Sequence, residues 1–238
     1  MLDEKQLKNM CRQPVADKAY YQPLVCIGDM SKIGIFVVGT NPALSVYSHE
    51  IDIDTYTDLL FNYERFMDYY RAIRFKEGLP EMSRIRTGLH GFLTWLSEQT
   101  NFSVAETNVI AYPTPTLVDL KKVPSPIIGV GKSIFRRLLA VIKPQLIILH
   151  GKPTVVSFRK AIEKEKLAKT QEINLYKPIE YLEMCSPLTH IQYPNGRYGT
   201  VLACRNLSLY GRNGNGFSSF KKLVKANLIS LSLYQNSG

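Results

Sequence analysis

Cysteine is scarce in this sequence, and long hydrophobic runs are lacking. The four cysteines among its 238 residues stand at positions 11, 26, 185 and 204, which is neither the density of a disulfide-bonded small domain nor the spacing of a Cys-x-x-Cys metal site. No apolar run approaches the ~18 residues of a membrane span, and the opening Met-Leu-Asp-Glu-Lys is too charged for a secretory signal. We therefore expect a protein that does not span a membrane and stays inside the cell, in the cytoplasm or, in a eukaryote, in the nucleus.

Acidic side chains are fewer than basic ones. The sequence has 20 Asp and Glu against 30 Lys and Arg, which gives a formal net charge of +10 at pH 7. An excess of positive charge favours a polyanionic partner, either nucleic acid or a membrane surface. Charge alone does not distinguish between these two kinds of partner. The shares of hydrophobic residues (45%) and charged residues (21%) are ordinary for a globular protein, which excludes wholesale disorder and a fibrous chain.

Short apolar runs alternate with helical patterns along the chain. Continuous apolar runs predict buried strands at 33–38 and 146–149, strands are also expected at 104–111 and 200–203, and a further short strand is expected at 181–184. Apolar residues at helical spacing predict one helix over about 56–73 and others over about 85–96, 126–142, 154–169 and 217–228. Asn195-Gly196 is typical of a turn.

Strands linked by helical crossovers predict an α/β fold. We expect a three-layer α/β/α sandwich with a central four-stranded parallel sheet, built as a single domain over residues 1–238. An insertion near 46–82 and an irregular segment near 170–198 are not accounted for by this plan. In parallel sheets, ligands bind at the carboxyl ends of the strands, which directs attention to the loops at 39–48, 108–118, 150–154 and 204–216.

Amide side chains stand at three of these strand ends. Asn41 follows the first strand and, if exposed there, leaves its amide free to hold a water molecule. Asn108 precedes a loop rich in Pro and Thr, where its amide could either bond the backbone or read the edge of a ligand. The loop 204–214, which contains Asn206, mixes basic, amide, aromatic and glycine residues. This mixture suits a loop that clamps a nucleic-acid backbone and unstacks bases, although a plain surface loop shares it.

Two other candidate sites are weaker. The segment 129–133 (Gly-Val-Gly-Lys-Ser) resembles the end of a phosphate-binding P-loop, but Pro126 occupies the place of the first glycine and no strand precedes the segment. A helix start with Lys132 exposed is the preferred interpretation, and binding of a nucleoside triphosphate through Lys132 is the alternative. The four histidines lack metal-ligand spacing and are interpreted as structural.

Taken together, the strand-end loops resemble the motifs of the uracil-DNA glycosylase superfamily, most closely its mismatch-specific uracil/thymine-DNA glycosylase branch. Residues 39–45 (Gly-Thr-Asn-Pro-Ala-Leu-Ser) are similar to the first motif of that branch, Gly-Ile-Asn-Pro-Gly-Leu-Ser, and differ at Thr40 and Ala43. Three further segments follow in the family's order: 107–110, the strand region 143–152 that ends in Gly-Lys, and 206–208 (Asn-Leu-Ser), which is similar to the family's Asn-Pro-Ser. The similarity spans about residues 33–230.

The resemblance implies a monofunctional DNA glycosylase. Such an enzyme flips a damaged, mismatched or modified pyrimidine out of the duplex and hydrolyses its N-glycosidic bond to leave an abasic site. DNA is then the partner, with no membrane partner, and the protein acts as a monomer without a cofactor or metal, in base-excision repair or in defence against modified foreign DNA. One branch of the superfamily carries an iron–sulfur cluster on four cysteines, but its Cys-x-x-Cys element is absent here, so we expect no cluster. The alternative is a catalytically silent, DNA-binding member of the same fold.

The resemblance also assigns roles to residues. Asn41 would position the attacking water, and Asn206 stands where faster relatives have a histidine that donates to the leaving base. With amides in place of a carboxylate and a histidine, we expect a slow enzyme or a more activated leaving group. The residues implied in base binding are Gly39, Thr40, Pro42, Tyr47 as the candidate for stacking on the base, and Asn108 as the reader of its edge. Those implied in DNA binding are Ser45, Lys152, Arg205, Ser208 and the wedge candidates Leu209, Tyr210 and Arg212.

Overall fold

The computed structural model describes residues 2–12, 18–164, 176–185, 187–211 and 214–235. Its helices are α1 (Glu4–Cys11), α2 (Ile53–Phe61), α3 (Tyr63–Lys76), α4 (Arg84–Ser97), α5 (Leu117–Leu120), α6 (Ser125–Ile142), α7 (Lys152–Lys164), α8 (Ile179–Met184) and α9 (Ser218–Gln235). Its strands are β1 (Leu24–Ile27), β2 (Ile33–Gly39), β3 (Ser103–Asn108), β4 (Leu146–His150), β5 (Thr189–Gln192) and β6 (Tyr198–Cys204). Short 3₁₀ turns cover Met30–Lys32, Leu207–Leu209 and Asn215–Phe217.

The strands form one six-stranded sheet in the order β1-β3-β2-β4-β6-β5. β2 pairs in parallel with β3 and with β4, and β4 pairs in parallel with β6, whereas β1 and β5 are antiparallel to their neighbours. The α/β class predicted from the sequence is confirmed, but the sheet is mixed and larger than the four-stranded parallel sheet that was expected. The strands that the sequence did not reveal, β1 and β5, cover four residues each, which is too short to stand out as apolar runs.

Two local predictions are wrong. Residues 181–184 belong to helix α8 and not to a strand, and Leu182 is the buried residue of this helix. The single helix predicted over 56–73 is two helices, because Asn62 ends α2 with its backbone and caps the first turn of α3 with its side chain. Apolar residues keep their helical spacing across this break, so periodicity alone did not reveal it.

The segment near 170–198 has regular structure in its described part. It contains α8 and β5, and β5 forms an antiparallel pair with β6. The turn predicted at Asn195-Gly196 connects these two strands, with Gly196 at a φ of 80° that favours glycine. The predicted extension of α7 to about residue 169 lies outside the described residues.

The order of the strands locates a crevice in the sheet. The connection after β2 returns the chain to β3 on one side, whereas those after β3 and β4 return it to β4 and β6 on the other side. The connections that follow β2 and β4 therefore diverge, and a crevice opens between the carboxyl ends of these strands, at Gly39 and His150.

Helix α4 holds the chain that follows β6. Phe92 in α4 packs against Tyr210 and against Phe220 in α9, with ring centroids 5.6 and 6.2 Å apart. Gly88, also in α4, approaches the 3₁₀ turn after β6 so closely that a Cβ at this position would lie 1.8 Å from the carbonyl oxygen of Leu207. The turn that carries part of the predicted site therefore rests directly on the backbone of α4.

We expect Gly88→Ala to lower the free energy of unfolding by ~1–3 kcal/mol, because the added methyl must displace a backbone carbonyl and not a flexible side chain. Urea unfolding measures the change. Gly129→Ala in α6 is the control: nothing lies within 4 Å of its Cβ position, so alanine should stabilise this helix by about 0.5–1 kcal/mol. Equal changes in the two variants would contradict this description of α4.

Candidate functional site

A cavity of about 200 Å³ opens at the carboxyl ends of β2, β3 and β4, where the strand order places a crevice. Its walls come from the loops after these strands, from the turn after β6, and from α3 and α4. Asn41, Asn108 and Asn206, which the sequence predicted to share one site, all line it. The predicted base-binding residues Gly39, Thr40 and Pro42 line it as well.

Asn41 is held in one orientation. Its Nδ2 donates to the carbonyl oxygens of Pro42 (3.0 Å) and Thr114 (3.1 Å) and to Thr114 Oγ1 (2.9 Å). A carbonyl oxygen only accepts hydrogen bonds, so the nitrogen of the amide must face these groups. Among the described residues no group donates to Oδ1, and the side chain is partly exposed at the cavity. Asn41 therefore presents an acceptor to whatever binds there.

Thr114 sets the orientation of Asn41. It is buried, and its backbone N–H donates to the carbonyl oxygen of Pro42 (2.9 Å). Its hydroxyl donates to the carbonyl oxygen of Thr116 (2.9 Å). Because the hydroxyl has one proton, this donation leaves its oxygen to accept from Asn41. The sequence predicted that the loop of Pro and Thr residues belongs to the site, but not that it positions the amide of Asn41.

Gly39, Asn108 and His150 stand side by side at the ends of three adjacent strands. A Cβ at Gly39 would lie 2.5 Å from Asn108 Oδ1 and 3.1 Å from His150 Nε2, so glycine is needed to leave room for both side chains. Asn108 is buried and lines the cavity, and none of the described residues forms a hydrogen bond with its amide. Its donor and its acceptor are therefore both available to a ligand.

His150 lines the cavity, although the sequence indicated a structural histidine. Its Nδ1 is enclosed and has no hydrogen-bond partner in the described part of the chain. Burial, with a smaller contribution from the nearby Arg86 guanidinium, lowers the pKa of the imidazole to about 4. The ring is therefore neutral at pH 7 and carries one N–H. Its place at the end of an apolar strand was the one feature of the sequence that could have indicated this position.

Asn206 approaches the cavity from the turn after β6. Its Oδ1 accepts from the backbone N–H of Ser208 (2.8 Å) and so caps this turn. The amide nitrogen is directed toward Gly151, where a Cβ would lie 3.6 Å from Nδ2. No acceptor for Nδ2 is found among the described residues. Asn206 therefore presents N–H donors at the rim of the cavity.

A buried ion pair forms the wall toward α3 and α4. Arg86 in α4 donates to both carboxylate oxygens of Glu106 in β3, at 2.6 and 3.0 Å. Its guanidinium also lies over the rings of Phe66 and Tyr70, 5.5 and 5.3 Å from their centroids. Both charged residues are buried and line the cavity. The sequence did not reveal this pair, because neither residue belongs to a recognisable motif. The burial of each charged side chain is accounted for only by its partner, which lies in another element.

Some of the predicted residues do not line the cavity. Ser45, Tyr47 and Lys152 are partly exposed but are not among the residues that line it. The ring of Tyr47 stacks on His49, with centroids 5.3 Å apart, and Lys152 Nζ donates to the carbonyl oxygen of Lys177. The predicted stacking of Tyr47 on a bound base is therefore not supported by its position.

The turn after β6 keeps two of the predicted DNA contacts at the surface. Leu209 is 51% exposed, as expected of a wedge residue. Ser208 is partly exposed, and its carbonyl oxygen accepts from Arg84 Nε (3.2 Å). The third wedge candidate, Arg212, lies outside the described residues.

Arg205 and Tyr210 have structural partners instead. Tyr210 is only 4% exposed and packs against Phe92, so its prediction as a wedge is wrong. Arg205 Nε lies 3.1 Å from a carboxylate oxygen of Glu183, and its NH2 donates to the carbonyl oxygen of Gly216 (2.6 Å). These contacts commit Arg205 to holding the chain before α9. Loop composition did not reveal which side chains are directed inward.

Other kinds of site find no support in the described residues. The segment 129–133 lies inside α6 and not in a loop, so its backbone N–H groups serve the helix and cannot cradle a phosphate. The alternative of triphosphate binding through Lys132 therefore loses its basis. In the described ranges, no group of three or more His, Cys, Asp or Glu is placed to hold a metal ion. Nor does that part of the chain contain a helix with the length and apolar character needed to cross a membrane.

His150 should give the protein a distinct dependence on pH. Its pKa is about 4 in the folded protein and 6.5 ordinarily, so the unfolded chain takes up the proton first as pH falls. The free energy of unfolding should therefore decrease from pH 6.5 to pH 4 by up to about 3 kcal/mol. His150→Gln removes this titration and should lose less stability over the same range. Urea unfolding at several pH values measures both, and parallel curves would contradict a buried neutral imidazole.

Comparison with known proteins does not assign the chain to a family. No protein-family model matches it, and no curated protein does. The similarity of its loops to glycosylase motifs therefore stays an expectation from the sequence. What the cavity does has to be argued from its own side chains.

Proposed function

We propose that the cavity binds a nucleobase turned out of a DNA duplex and that the protein hydrolyses the N-glycosidic bond of that nucleotide. The observation that carries this proposal is the convergence of Asn41, Asn108 and Asn206, from three separate loops, on one cavity. Each amide has a hydrogen-bonding group that no described residue satisfies. Such groups match the alternating donors and acceptors of a pyrimidine edge. Asn108 is the buried one of the three, and leaving a buried polar group unpaired costs ~1–3 kcal/mol, which a bound base would recover.

The size of the cavity favours a single ring. Its volume of about 200 Å³ is below the ~300–1,000 Å³ of pockets that enclose drug-sized ligands. A nucleoside triphosphate or a dinucleotide would not be enclosed, whereas one base fits with its sugar at the mouth. Enzymes that act on a base in a duplex must first take it out of the stack. A one-ring cavity that opens at the protein surface therefore supports base flipping.

The three amides and His150 divide the chemistry between them. Asn41 Oδ1 would accept from a water molecule and hold its oxygen against C1′ of the sugar. As the glycosidic bond breaks, its electron pair passes to the base, the water oxygen bonds C1′ and a proton is released to solvent. Asn206 Nδ2 and the N–H of neutral His150 would stabilise the negative charge on the departing base. Asn108 would read the edge of the base.

The surroundings of the water site predict slow turnover. Glu106 lines the cavity, but Arg86 occupies both of its oxygens and compensates its charge. His150, with a pKa of about 4, is not protonated at pH 7 and cannot act there as a strong acid. We therefore expect a slow enzyme or a base that leaves easily. The same lack of a free carboxylate favours the second candidate, a protein of this architecture that binds DNA without cutting the bond.

The surroundings of the cavity suit a DNA duplex. Leu209 is exposed beside Asn206 and could fill the gap left by a flipped nucleotide. Arg84 and Lys121 are exposed on α4 and directly after α5, and the chain carries a net charge of +10. The proposal includes the architecture expected from the sequence, a three-layer α/β/α sandwich around the four inner strands. The biological role would be base-excision repair or defence against modified foreign DNA.

A panel of duplexes tests the proposal. Duplexes that carry uracil, a G·T mismatch or a modified cytosine are incubated with the protein and treated with alkali, which cleaves DNA at abasic sites. We expect strand breaks on at least one of them. Asn41→Ala should lower the rate ~10²–10⁴-fold with little change in DNA affinity. Asn101→Ala is the matched control and should keep the full rate, because Asn101 precedes β3 at the opposite edge of the sheet.

The other outcomes of the panel are equally informative. Salt-dependent binding of the duplexes without strand breaks on any of them would leave the silent DNA-binding protein. A lack of binding even at low salt would contradict both candidates.

Thr114 tests the positioning of Asn41 separately. Thr114→Val removes the hydroxyl that accepts from Asn41 Nδ2, so the amide is held less firmly against the attacking water. We expect kcat to fall roughly tenfold with KM little changed, as for the loss of one hydrogen bond that matters in the transition state. Thr114→Ser should restore most of the rate. If Thr114→Val and the wild type turn over at the same rate, Thr114 does not position Asn41.

A further inference from the structure

The inserted helices reach the rim of the cavity. Tyr70 in α3 and Ser83, which caps α4, both line the cavity, and their hydroxyl oxygens lie 3.2 Å apart in a hydrogen bond. The chain between them, residues 71–82, therefore leaves the rim and returns to it. We call residues 71–82 the α3–α4 tip. All of it falls in the insertion near 46–82 that the sequence left without a role.

Contacts within the α3–α4 tip hold it in shape. Arg74 Nε donates to the carbonyl oxygen of Pro80 (2.6 Å), and the backbone N–H of Leu79 donates to the carbonyl oxygen of Arg74 (2.9 Å). Arg71 and Glu81 form an ion pair, with Arg71 Nε 3.0 Å from Glu81 Oε1. The tip is therefore a projection whose backbone is braced by its own contacts.

The outer end of the α3–α4 tip is apolar and basic. Phe75 is 84% exposed and Leu79 is 45% exposed, so neither side chain stabilises the fold much by packing. Lys76 is exposed next to Phe75, and the tip contains three basic residues against two acidic ones. Single exposed hydrophobic residues are ordinary. An aromatic ring between cations, on a braced projection at a cavity rim, is instead typical of surfaces that stack bases and hold phosphates.

The α3–α4 tip lies close to the turn expected to enter DNA. Arg84, at the start of α4, donates from Nε to the carbonyl oxygen of Ser208 (3.2 Å). Leu209, the exposed wedge candidate, follows directly. The first turn of α4 thus connects the tip to the turn after β6, and both stand at the rim of one cavity. A duplex presented to the cavity would meet both.

We propose that the α3–α4 tip is a second nucleic-acid contact, in which Phe75 stacks on a base beside the everted nucleotide and Lys76 holds a neighbouring phosphate. This inference rests on the proposed binding of DNA at the cavity. It gives the insertion a contact with the DNA that the loops at the ends of the β-strands do not supply. The positive charge of the tip and the one-ring size of the neighbouring cavity favour DNA over a protein partner.

Binding of a fluorescent duplex with a tetrahydrofuran abasic analogue, which cannot be hydrolysed, tests this contact. Phe75→Ala should weaken the affinity about 5- to 100-fold at constant salt, as the loss of one base–aromatic stack does. Lys76→Ala should reduce the slope of log K against log salt by about one. Tyr198→Ala is the matched control and should bind as the wild type does, because Tyr198 is an aromatic residue, 57% exposed, at the amino end of β6 and the opposite edge of the sheet.

The outcomes separate this inference from the proposed function. If the wild type binds the duplex and Phe75→Ala binds it equally well, the contact at the tip is overturned while the proposed function stands. If the wild type does not bind at low salt, both fall. Unchanged DNA affinity together with a Phe75-dependent change in oligomeric state would assign the tip to a protein contact and also overturn the inference. Thermal unfolding of each variant confirms that the exposed substitutions leave the fold intact.

Discussion

Arg86 and Glu106 neutralise each other inside the protein, and the wall of the cavity is built on this contact. Glu106 lies two residues before Asn108 in β3, so the pair joins α4 to the strand that carries the central amide of the site. Arg86 also contributes to the low pKa of His150. A buried charge without its partner costs ~3–5 kcal/mol, so the two residues are constrained to remain together. The pair therefore fastens α4 to β3 beside the cavity, and its guanidinium adds to the lowering of the His150 pKa that burial mainly causes.

Among the described residues that line the cavity, this compensated pair carries the charge and the other side chains are uncharged. Asn41, Asn108 and Asn206 offer oriented dipoles, and His150 offers a neutral N–H. Oriented dipoles in a secluded site stabilise charge that develops during a reaction without the cost of burying a formal charge beforehand. They also give little help in removing a proton from water. A site of this kind is better suited to holding a base and selecting it than to rapid turnover, which agrees with both functions proposed for it.

Two of the strands that build the site, β2 and β4, could be predicted because they contain uninterrupted apolar runs and are buried along their length. Where such strands end, the loops must converge, and this is why Asn41, Asn108 and Asn206 could be grouped from the sequence. Glu106 could not be identified in this way, because its role depends on a partner in another element that only the folded chain brings near. Tyr210 was misassigned for a related reason: the composition of a loop does not tell which aromatic ring enters the core. The short edge strands carried too few residues for a pattern.

The contact between Gly88 and the Leu207 carbonyl has a mechanical consequence. Leu209 is mounted on a turn that rests on the backbone of α4, and α4 is fastened to β3 by its buried arginine. Under the proposed function, the backbone that carries Leu209 therefore keeps its position when the side chain enters a stack of base pairs. The work of distortion then falls on the duplex, and it is least where pairing is already weakened by a mismatch or a lesion. Discrimination between sound and faulty DNA would thus begin with the stiffness of the double helix, before any base enters the pocket.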